Sequence, residues 1–194
     1  MRKLLGLAFL VVTVLSVSGC AVNLPFNTRA DYDSILKAKA LSIEKNPIAV
    51  KWVPVNFPER VDIKGASGFV GRGSMTRIPI GAAISKRVIE LLDVTCGVDQ
   101  SSRRILTVDV IDANPEFEYS ANIFNLTPGM DVGRCTFEAE FTYGDIQWRK
   151  KYTASYEDYQ VGAKSQTGVL ETAFDDIALQ VVNDIAQNIF GKGK

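Results

Sequence analysis

Cys135-Thr-Phe-Glu-Ala-Glu-Phe-Thr-Tyr143-Gly144-Asp145-Ile146-Gln-Trp-Arg-Lys-Lys-Tyr152 is a stretch that folds back on itself. Gly144-Asp145 suits a two-residue hairpin turn with glycine first, as a type II′ turn requires. Reflection about that turn sets Phe141 against Trp148 and Phe137 against Tyr152 on one face. On the other face Glu140 meets Arg149 and Glu138 meets Lys151. Each such cross-strand pair contributes roughly 0.2–1 kcal/mol. A slip of one residue would exchange the faces, so two faces that agree define the register. Cys135 falls on the aromatic face. Lys150 breaks the pattern opposite Ala139, and its stem is expected to snorkel from a sheet edge.

Working outward, residues 167–190 carry Leu170, Phe174, Ile177, Val181, Ile185 and Ile189 at spacings of three and four. That is one apolar stripe of a long helix. Glu171, Asp175, Asp176, Gln180, Asn183 and Gln187 are assigned to its outer face. Thr167 suits the start, and Gly191 with Lys192 the end. Towards the N-terminus, residues 122–134 read as loop. Residues 103–112 alternate as a strand, with Leu106, Val108 and Val110 to one side, and 116–119 extend it past Pro115. Residues 79–93 read as a helix with Ile80, Ile84, Val88, Leu91 and Leu92 inward and Lys86, Arg87 and Glu90 opposite; Pro79 fits its first turn and Cys96-Gly97 ends it. Residues 48–55 read as a strand that Pro54 confines to an end or an edge. A short helix is expected over 31–43, stopped by Asn46-Pro47. Residues 65–73 hold four glycines without the Gly-Lys-Ser/Thr ending of a phosphate loop, so they read as a plain loop or hairpin. The expectation is an α+β, two-layer domain over 47–194, with a largely antiparallel sheet and two main helices packed on one face.

Composition narrows the chemistry. The protein has 194 residues and no histidine. A Ser-His-Asp triad, a Cys-His pair and any His-ligated metal are therefore excluded. No Gly-x-Ser-x-Gly and no Asp-x-Asp-x-Asp-Gly run is present. Asp175 and Asp176 are helix neighbours that point apart, and Glu138 and Glu140 face a basic strand, so neither pair makes a catalytic dyad. The expectation is a non-enzyme with no cofactor, no metal and no nucleic-acid partner. The aromatics Trp148, Tyr152, Tyr156 and Tyr159 read either as core stacking or as an interaction face, which Tyr and Trp favour.

The first residues supply a compartment. Arg2 and Lys3 precede an apolar run from Leu4 to Val17, then Ser18, Gly19 and Cys20. A basic start, a short apolar run and a small-residue site make a secretory signal. The run is shorter than the roughly 20 residues of a membrane-spanning helix. Val17-Ser18-Gly19-Cys20 resembles the lipobox of bacterial lipoproteins. The resemblance implies cleavage before Cys20 and acylation, palmitate included, of that residue. Residues 1–19 would be the signal peptide and 20–46 a lipidated tether. Cleavage removes Arg2 and Lys3 and no acid, so 20 basic face 22 acidic side chains, a net charge of about −2. Ala21, in place of the Asp that resembles an inner-membrane retention signal, implies the outer membrane with the domain facing the periplasm. In that oxidising compartment Cys96 and Cys135 are either a disulfide or two buried thiols, and the bridge is the expectation.

Lys150-Lys-Tyr152-Thr-Ala154-Ser-Tyr156, followed by the amphipathic helix, resembles the YajG-like lipoproteins of Gram-negative bacteria. That likeness implies an envelope role without assigned catalysis. The leading expectation is an interaction or assembly component, with the membrane and an unidentified envelope protein as partners. One rival is a lipid-handling module similar to the auxiliary lipoproteins of envelope transporters, which needs an acyl-sized cavity between sheet and long helix. Another is a carboxylate hydrolase.

Overall fold

The computed structural model describes residues 21–23, 25–41, 43, 45–55, 57, 60–64, 75–122, 127–158 and 166–191. The expected signal segment with Cys20, the expected glycine loop at 65–73, Tyr159 and Lys192 lie outside them. The elements run β1 (Ala21–Asn23), α1 (Tyr32–Lys39), β2 (Ala49–Val53), β3 (Val61–Lys64), β4 (Met75–Ile78), α2 (Ile80–Thr95), β5 (Ile105–Asn122), β6 (Thr127–Tyr143), β7 (Ile146–Asp158) and α3 (Gln166–Phe190). They form the expected α+β fold. The main sheet has the order β2-β5-β6-β7, and a small sheet has the order β1-β4-β3.

The hairpin forms in the register read from its side chains. Phe141 pairs with Trp148, Phe137 with Tyr152, Glu140 with Arg149, Glu138 with Lys151 and Ala139 with Lys150. Gly144 turns the backbone at φ +57°, a conformation that favours glycine. The stacked pairs are real ring contacts, with centroids 5.0 Å apart for Phe141–Trp148 and 6.2 Å for Phe137–Tyr152. The charge ladder is diagonal: Arg149 reaches Glu138 at 2.7 Å, and Gln147 donates to Glu140.

The sheet is largely antiparallel, but β2 joins β5 in parallel. Parallel neighbours need a long crossover, and here β3, β4 and α2 provide it. β2 is an edge strand, as Pro54 required. β5 and β6 are longer than the sequence suggested. β6 begins at Thr127, where a loop was expected, and Asn122 through Leu106 pair along it with shifts at Val110/Asp112 and Ser120/Asn122. Pro128, Gly129 and Gly133 hide that strand from local rules, because the long partner β5 imposes the pairing.

α3 lies on β6 and β7, α2 packs beside α3, and α1 closes against both helices. Val169, Leu170, Ala173, Phe174, Ile177, Ala178, Val181, Val182 and Ile185 are wholly buried, joined in one core by Ile84, Val88 and Leu91 of α2. α3 approaches β6 at Gly133. A Cβ there would stand 2.8 Å from the backbone carbonyl of Val169, so only glycine admits the helix at that depth.

Two expectations are corrected. Arg87 does not lie on an outer face of α2, and Asp175 does not lie on the outer face of α3; both are buried and face each other. Cys96 and Cys135 are free thiols, both buried. Cys96 ends α2 beside Ile48 and the start of β5, since its carbonyl accepts from Asn46 N–H at 2.9 Å. Cys135 pairs with Pro115, ten residues further along β5, or roughly 30 Å at strand rise. A disulfide needs Cα atoms within about 7 Å. Within the span expected as a tether, Phe26, Ala30, Ile35, Ala38 and Leu41 pack in or against the core.

Candidate functional site

Among the described residues, two polar assemblies join the helices to the rest of the molecule, one built on an acid of α3 and the other on acids of α2 and α3. The first centres on Asp184, 6% exposed, one helical turn from Val181. Its Oδ2 accepts from Trp148 Nε1–H at 2.8 Å and from Tyr152 O–H at 2.8 Å, and its Oδ1 pairs with Lys150 Nζ. These donors alternate along β7, where period-two geometry sends them to the helix side. Burial pushes the Tyr152 hydroxyl well above its usual range, and the Asp184 carboxylate beside it adds to the shift. The phenol therefore stays protonated and keeps donating. Lys150 thus reaches an acid from the edge strand, which explains its place on the apolar face.

Of the aromatics read either as core stacking or as an interaction face, Trp148 and Tyr152 donate to Asp184 of α3. Tyr152 is 2% exposed, and Trp148 and Tyr156 are half-buried against the core. Trp148 and Tyr152 thus meet the protein's own helix α3. Tyr159 lies outside the described residues.

The second assembly holds the N-terminal segment. Arg87 is 0% exposed. Its Nε–H donates to Asp175 Oδ1 at 2.8 Å and its Nη1–H to the Ala83 carbonyl at 3.2 Å. Burial pushes the Asp175 carboxyl up, opposed by the Arg87 guanidinium. The same Oδ1 accepts from the backbone N–H of Asp31 at 3.1 Å. Glu90 accepts from Ala30 N–H at 3.0 Å and from Arg29 Nη2 at 2.9 Å, and Glu171 accepts from Asn27 N–H at 2.7 Å. Phe26 meets Phe174 edge-on, with centroids 5.6 Å apart, and lies 6.0 Å from the Arg87 guanidinium carbon. Asp31 then caps α1 by accepting from Ser34 N–H at 2.7 Å. Residues 26–31 are thus a strap held across α2 and α3. The apolar period alone cannot reveal it, because all of its donors but the Arg29 guanidinium are backbone amides.

An open groove of about 400 Å³ lies between β3 and β5, with Val61, Ile63, Pro115 and Phe117 among its lining. A smaller hollow of about 250 Å³ adjoins it over Thr136 and Ser155. The acids there are engaged by neighbours. Asp62 meets Arg77 at 2.7 Å, a contact that lowers its carboxyl, and Glu118 meets Arg134 at 2.7 Å. Neither hollow lies between α3 and the sheet, where an acyl-binding cavity was required and where the described side chains are packed.

No family model and no curated protein matches the sequence. Among solved structures, protein XCC0632 from Xanthomonas campestris, a DUF330 protein, is similar at 10% identity over 84% of this protein and 92% of that one, with a TM-score of 0.46. A minor lipoprotein from Acinetobacter baumannii is similar at 11% identity, over 76% of this protein and 96% of that one, with a TM-score of 0.45. Rare lipoprotein B from Shewanella oneidensis is similar at 10% identity, over 75% and 95%, with a TM-score of 0.40. Likenesses this loose transfer neither fold nor role. The YajG-like resemblance rests on its own short stretch.

Proposed function

We propose that this protein is an envelope lipoprotein, acylated at Cys20, held in the outer membrane with its domain in the periplasm, and acting through protein contacts without catalysis. The observation that carries the reading is the basic, then apolar, start closing on Ser18-Gly19-Cys20. The folded body that follows agrees with it, since β1 starts at Ala21, directly after the acylation site. The buried acids Asp175 and Asp184 are both engaged in contacts that hold the fold. Radiolabelled palmitate should enter the native polypeptide and not the Cys20→Ser variant. An unlabelled wild-type polypeptide, or a mature form that starts elsewhere, rejects the anchor. Crosslinking in the intact envelope should then capture a reproducible protein partner; a solitary monomer rejects the interaction role.

A further inference from the structure

The short path between Cys20 and the folded body decides how that body meets a bilayer. Ala21 pairs with Met75 and Asn23 with Arg77, so the polypeptide enters the small sheet at once. Phe26 is seated on Phe174, and the amides of Asn27, Ala30 and Asp31 are held by Glu171, Glu90 and Asp175. Even with β1 unpaired, the six residues from Cys20 to Phe26 span no more than about 22 Å. A free tether over residues 20–46 would stretch to about 90 Å. The small sheet lies beside the half of β5 remote from the hairpin turn, because Val61–Ile63 face the Pro115–Glu118 part of β5, within its span Ile105–Asn122, across the groove. The turn at 144–145 is at the other end: Tyr143 pairs with Leu106, and Pro115 lies nine residues on, about 30 Å away.

We propose that the domain rests with its small sheet β1-β4-β3 against the phospholipid surface and the 144–145 turn pointing away, with no free spacer between lipid and fold. The proposal rests on Cys20 as the anchor point. Its partner is the bilayer that carries the protein's own acyl groups. A protein so held works within one orientation and a short height above the membrane, and presents the far end of β5, β6 and β7 to the periplasm.

The test separates this from acylation itself. The polypeptide from Cys20 onward is coupled through that thiol to a maleimide lipid in phosphatidylethanolamine and phosphatidylglycerol vesicles; Cys96 and Cys135 are buried and do not compete. A fluorescent amino acid is placed at Met75 in one sample and at Asp145 in another, and nitroxide-headgroup lipid is the quencher. Met75 is expected to be quenched severalfold more than Asp145. A spacer of about ten Gly and Ser residues between Cys20 and Ala21 is expected to shrink that difference. If the Met75 position does not accept the fluorophore, exposed Asp62 on β3 replaces it. Equal quenching at both ends, unchanged by the spacer, overturns the orientation. Mass spectrometry of the native protein reports acylation independently, so absent acyl groups would reject the anchor while the vesicle result still reports the geometry.

Discussion

At the scale of single residues, the buried cysteines and one acid make clear statements. Burial, with Asp93 nearby, pushes the Cys96 thiol up to about 11. Burial also pushes the Cys135 thiol far above its ordinary range, with Asp112 adding to it. The thiolate is the reactive form, so both should be inert at neutral pH. In unacylated protein beginning at Cys20, a maleimide reagent should modify one thiol in the folded state and three in denaturant, as mass spectrometry would read. Asp131 is the second case. It faces Asp158 across β6 and β7, and its Oδ1 is buried without a hydrogen bond. Burial raises its carboxyl, and the Asp158 charge raises it further. A raised folded value means that the folded state binds more protons than the unfolded one as pH climbs past about 4. Stability from this group is present at low pH and is lost as pH rises through the folded value. Asp175, also raised, acts in the same sense, whereas Asp62 and Asp99, lowered by Arg77 and Ser101, act in the opposite one. Asp131→Asn should therefore flatten the decline and stabilise the protein at pH 7 by about 0.5 kcal/mol. Urea titrations of variant and parent from pH 4 to 7 check it; a steeper decline would contradict the account.

At the scale of elements, the contact of α2 with α3 includes the buried Arg87–Asp175 ion pair within its apolar packing. Losing one partner strands the other charge, so Arg87→Met should cost about 3–5 kcal/mol. The double variant Arg87→Met, Asp175→Leu should recover part of that loss, since an apolar pair needs no desolvated charge. Full recovery is not expected, because Asp31 N–H then loses its acceptor. Chemical denaturation of the three variants gives the coupling directly. The contact of α3 with the sheet depends on Gly133. Gly133→Ala drives a methyl into the backbone of Val169 and should cost about 1–3 kcal/mol, with the helix displaced. An unchanged denaturation midpoint would show that α3 is seated less deeply. β7 is a long edge strand, and its Arg149-Lys150-Lys151 run discourages a further strand from pairing there.

At the scale of the molecule, the strap and the small sheet turn an expected leash into part of the domain. The amides of Asn27, Ala30 and Asp31 should exchange slowly in native hydrogen exchange, because carboxylates hold them against α2 and α3. A free tether would exchange them within the dead time. The measurement needs no lipid, so it stands apart from acylation at Cys20.

The sequence by itself determined the hairpin and its register, the bounds of α2 and α3 within a few residues, and the edge position of β2. The reason is that Phe141 with Trp148, the Ile84–Val88–Leu91 stripe and Pro54 act through neighbours on the same element or across one turn. The proposed signal segment and Cys20 were also read from sequence alone, since a secretion signal is recognised as a linear polypeptide. Only the tertiary structure decided that β6 starts at Thr127, that the cysteines stay apart, that Trp148 and Tyr152 meet Asp184 of α3, and that residues 26–31 form a strap. Arg87 and Asp175 look like surface charges because burial of either alone is prohibitive. They are buried because two helices, distant in sequence, bring opposite charges within 2.8 Å, and that meeting leaves no periodic trace in the sequence.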